Sequence, residues 1–202
     1  MRKLSLGFMV FLMLAPFASF ADEKIMVLGD SISSAYGMDP KVGWVSLLND
    51  RLKTEGLAYE VVNASIAGDT VANGKLRAAS AVDAHSPKIV IIELGGNDGL
   101  RGYPLTQIES NLKTLVEALK DKKIQVLLMG IEVPANLGPD YTQRFAAIYP
   151  KVSELEKVPL APALGDMFWG TPGMIQPDGI HPSSTAQPLI LKAVWEKLKP
   201  LL

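Results

Sequence analysis

The stretch KIMVLGDSISSAY, residues 24–36, decides the fold of this chain and carries its first candidate functional residue. The apolar run at residues 25–28 has the length and β-branched content of a buried strand, and Gly29-Asp30-Ser31 ends that strand abruptly. In open α/β sheets, ligands bind beyond the carboxyl ends of the strands. The hydroxyl of Ser31 is therefore predicted to lie where a ligand would bind.

Strand patterns and helix patterns alternate along the rest of the chain. Apolar runs predict strands at residues 59–62, 88–94, 125–131 and 158–163, and periodic apolar positions predict helices near 44–56, 70–85, 106–119, 141–156 and from 184 onward. No regular element is predicted at residues 165–178. Five strands that alternate with helices require right-handed crossovers and a parallel sheet covered on both faces. The predicted fold class is α/β, a three-layer α/β/α sandwich around a five-stranded parallel sheet.

Two local features refine these elements. Thr106 and Glu109 have the spacing of a capping box, which predicts the start of the clearest amphipathic helix. Pro159 and Pro162 cannot donate backbone hydrogen bonds, so the strand that contains them is expected at an edge of the sheet.

The length and composition predict one domain behind a leader. The chain has 202 residues, 48% of them hydrophobic, which suits one sizeable core over residues 22–202. Residues 1–21 have the pattern of a secretory signal peptide, because Arg2 and Lys3 precede an apolar run that ends in small residues at Ala21. That run of about 14 residues is short of the roughly 20 in a spanning helix, which favours cleavage over a membrane anchor. The mature protein is expected in the periplasm, or secreted if its source has no outer membrane.

Charge and cysteine content exclude several classes of function. Basic and acidic residues number 20 and 21, and loss of Arg2 and Lys3 leaves a net charge of −3. Nucleic acid is not an expected partner, because the sequence has no basic stripe. The chain has no cysteine, so it has no disulfide framework and no thiol nucleophile. Residues 95–102, GGNDGLRG, do not match a dinucleotide fingerprint, and no cofactor or metal is expected.

Polar loops that contain glycine follow the first three predicted strands. They carry Ser31, Gly68 and Asn97. Because the strands of a parallel sheet end at the same edge, these three residues are expected to converge. A serine is a weak nucleophile until a neighbouring base takes its proton, so such a site also needs a base.

The two histidines of the chain differ in context. His85 is expected at the carboxyl end of a helix, where a solvated residue that complements the helix dipole is the simplest interpretation. His181 lies in PDGIHP, residues 177–182, and Asp178 precedes it by three residues in a turn with a glycine. The carboxylate of Asp178 can fold back onto one ring nitrogen and fix the tautomer whose other nitrogen accepts a proton.

Acyl transfer also needs hydrogen-bond donors for the oxygen that becomes negative in the tetrahedral intermediate. The N–H of Gly68 and the amide of Asn97 are candidates, although singly each is more often an ordinary turn or cap residue. Their occurrence after successive strands favours the functional interpretation. Asp98 is expected to bond loop backbone and not a metal.

Four blocks of this sequence resemble those of the SGNH (GDSL) hydrolase family. They are GDSIS at residues 29–33, Gly68 within SIAGDT, GGND at 95–98 and DGIHP at 178–182. Their order and spacing match along nearly the whole mature chain. The resemblance implies the flavodoxin-like SGNH hydrolase fold.

The same resemblance implies a role for each matched residue. Ser31 would be the nucleophile, His181 the general base and then the general acid, and Asp178 the residue that orients the imidazole. The oxyanion hole would consist of the N–H groups of Ser31 and Gly68 and the amide of Asn97.

Longer strings narrow the resemblance to one group of that family. VVNASIAGDT, ELGGNDGLRG and IYPKV, together with the signal peptide, resemble the exported bacterial acyl-CoA thioesterases, lysophospholipases and arylesterases. This implies a serine esterase of broad specificity, monomeric and without a cofactor. The expected partner is a small-molecule acyl ester or thioester.

Candidate substrate contacts lie beside the four blocks. They are Asp30, Ile32, Leu100, Met167, Phe168 and Ile180. The apolar residues of segment 167–175 are either core beneath a loop or the lining of an acyl-chain groove near His181, and the sequence leaves both open.

Two other functions stay open at this point. A polysaccharide O-acetylesterase would share the same chemistry, although the apolar segment 167–175 favours acyl chains. A non-catalytic periplasmic module that binds carbohydrate or lipid would keep the fold, but it would not need Ser31, Asp178 and His181 together.

Overall fold

The computed structural model describes residues 23–163 and 165–202. Its centre is a sheet of five parallel strands in the order β2-β1-β3-β4-β5. The strands are β1 (Glu23–Gly29), β2 (Tyr59–Asn63), β3 (Ile89–Glu93), β4 (Gln125–Met129) and β5 (Leu160–Ala161). The predicted α/β fold with a five-stranded parallel sheet is confirmed.

Helices cover both faces of this sheet. They are α1 (Trp44–Thr54), α2 (Val71–His85), α3 (Gly96–Leu100), α4 (Leu105–Asp121), α5 (Pro139–Ala146), α6 (Ile148–Glu156), α7 (Gly165–Trp169) and α8 (Gln187–Leu198). Single 3₁₀ turns occur at Pro40–Val42, Ala135–Leu137, Ser184–Ala186 and Lys199–Leu201. Helices α1 and α8 pack on one face, and α2, α4 and α6 pack on the other.

The interior strand β1 is apolar from Ile25 to Leu28 because both of its faces are covered there. Ile25 and Val27 belong to the core beneath α1 and α8, while Met26 and Leu28 belong to the core beneath α2, α4 and α6. All four side chains are completely buried. Burial of one such side chain is worth about 1.5–3 kcal/mol, so the strand that carries the first candidate residue is firmly fixed.

The register of the sheet aligns the functional loops. Gly29 of β1 lies opposite Glu93 of β3, and Val27 lies opposite Asn63 of β2. The three strands therefore end close together, and their loops leave the same edge of the sheet. That edge is the usual ligand-binding side of an open α/β sheet.

The prediction of one continuous helix over residues 141–156 is wrong. Helix α5 ends at Ala146 and α6 begins at Ile148. The physical cause is Pro150, which has no N–H to donate and whose ring would clash with the carbonyl of Ala146 in a continuous helix. In the first turn of α6 neither property matters.

Three other boundaries differ from the prediction. Helix α4 begins behind Pro104 without a side-chain cap, so the capping box at Thr106 is wrong; the proline already has φ of −57° and starts the helix early. Strand β5 keeps only two residues because prolines flank it, and its edge position is confirmed. Helix α7 forms in segment 165–178, where no regular element is predicted.

The signal-peptide prediction for residues 1–21 lies outside the described residues and stays a prediction, as does the domain boundary at residue 22. Over residues 23–163 and 165–202, no helix combines the length and the hydropathy needed to cross a bilayer.

Candidate active site

Ser31 lies directly beyond β1, in a turn with fixed backbone. Asp30 Oδ1 accepts the N–H of Ile32 at 3.1 Å, and the N–H of Tyr36 donates to the carbonyl of Ser31 at 3.1 Å. The side-chain oxygen of Ser31 lies 2.9 Å from His181 Nε2, although the two residues are 150 positions apart. The structure thus brings together the serine and the histidine that the sequence singles out.

Asp178 fixes both the turn and the imidazole that follow it. Its Oδ2 lies 2.7 Å from His181 Nδ1, and its Oδ1 accepts the N–H groups of Ile180 at 2.9 Å and His181 at 3.0 Å. Partial desolvation opposes ionisation, but these hydrogen bonds prevail and lower the pKa of Asp178 to about 2. Asp178 is therefore a carboxylate at neutral pH. It selects the tautomer with the proton on Nδ1, which leaves Nε2 free to accept the proton of Ser31.

Gln176 ties the turn of His181 to the loop after β1. Its N–H donates to the carbonyl of His181 at 2.8 Å, and its side-chain amide donates to the carbonyls of Tyr36 at 2.9 Å and Pro182 at 3.1 Å. The Tyr36 ring lies against the imidazole, with ring centroids 4.8 Å apart. These contacts join two segments that the sheet itself does not connect.

Asn97, in the first turn of α3, lines a cavity of about 180 Å³ together with Ser31 and His181. Its amide nitrogen donates to Asp30 Oδ2 at 3.0 Å and to the carbonyl of Asp69 at 2.9 Å. Both amide hydrogens are therefore engaged. A substrate oxyanion would have to share this amide with Asp30 or Asp69.

The two backbone donors of the predicted oxyanion hole differ from the Asn97 amide in their hydrogen bonding. Across residues 23–163 and 165–202, no protein acceptor takes a hydrogen bond from the N–H of Ser31 or of Gly68. Gly68 has φ of +82°, a conformation natural to glycine. It directly precedes Asp69, whose carbonyl accepts the amide of Asn97. The predicted donors thus comprise two free N–H groups and one amide that is already bonded.

Two buried carboxyl groups lie behind the serine. Glu93 ends β3 and is fully buried, and its Oε2 accepts the Ser33 hydroxyl at 2.7 Å and the N–H of Asp30 at 3.3 Å. Burial, followed by the charge of Asp30, raises the pKa of Glu93 well above its usual value. Burial also raises the pKa of Asp30 to about 6. Burial therefore disfavours the charged form of both carboxyl groups.

Sequence reasoning misses Glu93, although one feature of the sequence could have found it. This glutamate directly follows the four β-branched residues 89–92, in a strand that is buried on both faces. A buried carboxyl group needs hydrogen-bond partners. The sheet register supplies them by placing Glu93 opposite Gly29, beside Asp30 and Ser33.

The predicted substrate contacts do not all line the same cavity. Those that line the cavity of about 180 Å³ are Asp30, Ile32, Leu100 and Ile180. Phe168 is buried and lines a second cavity of about 60 Å³, which shares Ile32 and Ile180 with the first. The side chain of Met167 lies outside the described residues.

An open groove of about 950 Å³ continues from the main cavity. Leu100, Pro134 and Trp169 line both, and Leu137 lies farther along the groove. Of the two interpretations of segment 167–175, each holds for part of the segment, and Met174 and Ile175 pack against the core. Phe168 belongs to the core, whereas Trp169 borders the groove.

The remaining candidates lie apart from this chemistry. His85 is the last residue of α2, as predicted, on the approach to the amino end of β3. Asp98 Oδ2 accepts the N–H of Val71 at 2.9 Å, so it bonds backbone as predicted, although at the first residue of α2 and not in a loop. Among the described residues, no three histidine, aspartate or glutamate side chains are grouped as metal ligands would be.

Comparisons with known proteins point to one family. The profile of the GDSL-like lipase/acylhydrolase family matches residues 27–187. The chain is 47% identical to Esterase TesA of Pseudomonas aeruginosa over 90% of each chain. It is 40% identical to thioesterase 1/protease 1/lysophospholipase L1 of Escherichia coli, over 96% of this chain and 91% of that one. A crystal structure of TesA matches with a TM-score of 0.86 at 47% identity, over 89% of this chain and 100% of that one.

Proposed function

This chain belongs to the GDSL-like lipase/acylhydrolase family, and from that premise we propose that it hydrolyses acyl esters and thioesters at Ser31. One observation carries the assignment of residues: a continuous contact runs from Asp178 through His181 to Ser31 at the wall of a largely apolar cavity. A non-catalytic binding module would not need that contact, so it is the weaker alternative.

In the acylation step, Ser31 Oγ attacks the acyl carbon while its proton passes to His181 Nε2, 2.9 Å away. The carboxylate of Asp178, 2.7 Å from Nδ1, stabilises the imidazolium that forms. As the tetrahedral intermediate collapses, His181 gives the proton to the leaving alkoxide or thiolate. The alcohol or thiol departs, and the acyl group remains on Ser31.

In the deacylation step, a water molecule takes the place of the leaving group. His181 removes a proton from the water as its oxygen attacks the acyl carbon. The second intermediate collapses when His181 returns the proton to Ser31 Oγ. The carboxylic acid leaves, and the enzyme is restored.

Both intermediates place a negative charge on the former carbonyl oxygen. The free N–H groups of Ser31 and Gly68, with the amide of Asn97, are the donors for this oxyanion. They are neutral and positioned before the reaction, and each such donor is typically worth about 10²–10³ in rate.

The substrate class is broad: aryl esters, acyl thioesters and lysophospholipids. The names of the relatives support this range, since one is an esterase and another a thioesterase and lysophospholipase. The groove walls formed by Leu100, Pro134, Leu137 and Trp169 suit an acyl chain. A polysaccharide O-acetylesterase would need a more polar groove, so it ranks second.

The mature enzyme acts as an exported monomer, in the periplasm or outside the cell. The basic and apolar pattern of residues 1–21 supports export. Since every proposed catalytic group comes from one chain, a second copy is not needed to complete the site. An amino terminus at residue 22 in the secreted fraction, and a mass of one chain in light scattering, would bear this out.

The decisive test compares the purified mature enzyme with Ser31→Ala on p-nitrophenyl esters and acyl-CoA thioesters of graded chain length. Ser31→Ala should lose all measurable turnover of both substrate types and keep its melting temperature. Ser80→Ala, on the exposed face of α2, is the matched control and should keep full activity. Turnover by Ser31→Ala would remove this serine from the role of nucleophile.

A further inference from the structure

Arg77 of α2 makes three polar contacts behind the oxyanion donors. Its Nε donates to Asp69 Oδ2 at 2.6 Å, its Nη2 donates to the carbonyl of Gly29 at 3.2 Å, and its Nη1 donates to the carbonyl of Ala64. Gly29 ends β1, while Ala64 and Asp69 lie near the two ends of the loop that joins β2 to α2. One guanidinium group thus joins the end of β1 to both ends of the loop between β2 and α2.

Two of these acceptors, in Gly29 and Asp69, belong to residues close to proposed oxyanion donors. Gly29 is two residues before Ser31, and Asp69 directly follows Gly68. The carbonyl of Asp69 also accepts the amide of Asn97 at 2.9 Å. Every donor is therefore within two residues, or one hydrogen bond, of a group that Arg77 bonds.

The chemistry of this contact requires arginine. The side chain of Arg77 is 21% exposed and that of Asp69 is 8% exposed, so the pair is largely shielded from water. A guanidinium presents five donors in a rigid planar fork and can reach a carboxylate and two carbonyls in fixed directions. A lysine ammonium at this position would be a point charge without that geometry.

We propose that Arg77 is a positioning residue of the oxyanion hole, which sets the spacing of the donors on Ser31, Gly68 and Asn97 without touching the substrate. This inference rests on the proposed function of those donors. A simple ion pair between helix and loop would stabilise the fold but would leave the chemical step unchanged. Donors that act mainly in the transition state affect kcat more than KM, so the two roles are separable.

The test compares wild type with Arg77→Lys, Arg77→Met and Arg77→Ala on p-nitrophenyl butyrate. In Arg77→Met, kcat should fall about 10–100-fold, with KM within about twofold of wild type. Arg77→Lys should retain more activity because it keeps the charge and some donors. Guanidinium chloride, far below denaturing concentration, should restore part of kcat to Arg77→Ala, and sodium chloride should not.

Arg51→Met is the matched control. Arg51 also pairs with a carboxylate, Glu55 at 3.1 Å, but it lies on α1 and packs over Trp195 on the other face of the sheet. Its loss should lower the melting temperature and leave kcat unchanged. The same result for Arg77→Met, with kcat within about twofold of wild type, would overturn the proposal.

A second variant covers the case in which the Arg77 variants do not fold. Asp69→Asn weakens the ion pair with Arg77 but keeps the backbone carbonyl that Asn97 bonds. A lower kcat at constant KM supports the proposal, and an unchanged kcat overturns it. The proposed function fails in a different way: wild type would then hydrolyse no ester, or Ser31→Ala would keep its activity.

Discussion

The two halves of this active site are built in different ways. Asp30 and Ser31 lie directly beyond the end of the interior strand β1 and are almost completely buried, whereas Asp178 and His181 lie in a turn before α8. The side chain of Asp178 is 38% exposed. The sheet positions the strand-end half, while the turn half depends on its own hydrogen bonds and on Gln176.

The two aspartates show what this difference does to one type of side chain. Burial raises the pKa of Asp30 to about 6, whereas N–H groups and the imidazole lower the pKa of Asp178 to about 2, against partial desolvation. The buried Asp30 accepts a hydrogen bond from the amide of Asn97 and so positions an oxyanion donor. The more exposed Asp178 orients the imidazole of His181, the general base. Environment, and not residue type, assigns the two roles.

Asp178→Asn breaks the turn half and should have the largest effect. An amide would favour the tautomer of His181 with its proton on Nε2, which cannot accept the proton of Ser31. We expect kcat/KM for ester hydrolysis to fall about 10⁴-fold. Asp140→Asn, which removes an exposed carboxylate from α5, should change nothing. A loss of less than about tenfold in Asp178→Asn would show that the imidazole does not need this partner.

Asn97→Ala breaks the strand-end half. Removing one oxyanion donor should lower kcat about 10²–10³-fold and leave KM nearly constant. The control is Asn111→Ala on α4, an asparagine whose side-chain oxygen accepts from Lys75 Nζ. If kcat falls less than about threefold, the existing bonds of Asn97 to Asp30 and Asp69 keep its amide from the oxyanion, and the backbone donors act alone.

Gln176→Met tests the connection between the two halves. The substitution removes both side-chain hydrogen bonds, to Tyr36 and to Pro182, at nearly constant volume. The distance between Ser31 and His181 would then vary more, and kcat should fall roughly tenfold, since misplacement by about 1 Å can cost up to about 100-fold. Steady-state kinetics measure this. An unchanged kcat would mean that the contact of Tyr36 with the imidazole is enough.

The sequence predicts the strand-end half well at the level of main chain. Short runs of β-branched residues, followed by polar loops that contain glycine, mark strands whose loops must leave one edge of a parallel sheet. Ser31, Gly68 and Asn97 follow from that rule. His181 follows from the lack of another suitable base, and Asp178 from its spacing of three residues.

The supporting side chains are not predictable in the same way. Glu93 meets Ser33, and Arg77 meets Gly29, only because of strand register and helix rotation, which periodicity does not contain. The break between α5 and α6 is a local effect, and Pro150 could have indicated it. Long-range polar contacts are thus the part that required the structure.

The smallest expected effect concerns stability, and it separates the two aspartates by sign. Asp30 has a raised pKa in the folded state, so its contribution is full below its ordinary pKa and is lost as the pH rises through about 6. Asp178 has a lowered pKa, so its contribution is present above its ordinary pKa and is lost as the pH falls towards 2. As the pH rises, the contribution of Asp30 to folding stability should therefore decrease and that of Asp178 should increase.

Urea unfolding followed by circular dichroism, from about pH 3 to pH 7, gives the free energy of unfolding of wild type, Asp30→Asn and Asp178→Asn at each pH. Relative to wild type, the free energy of unfolding of Asp30→Asn should rise by on the order of 1–2 kcal/mol between about pH 4 and pH 7, because wild type must ionise the buried Asp30 and the amide does not titrate. Asp178→Asn should be less stable than wild type near neutrality and should approach it in acid. The new amide of Asp30→Asn also alters its bonds to Ile32 and Asn97, but that offset does not depend on pH. Parallel curves for Asp30→Asn and wild type would mean that Asp30 is ionised in the folded protein as easily as in the unfolded chain.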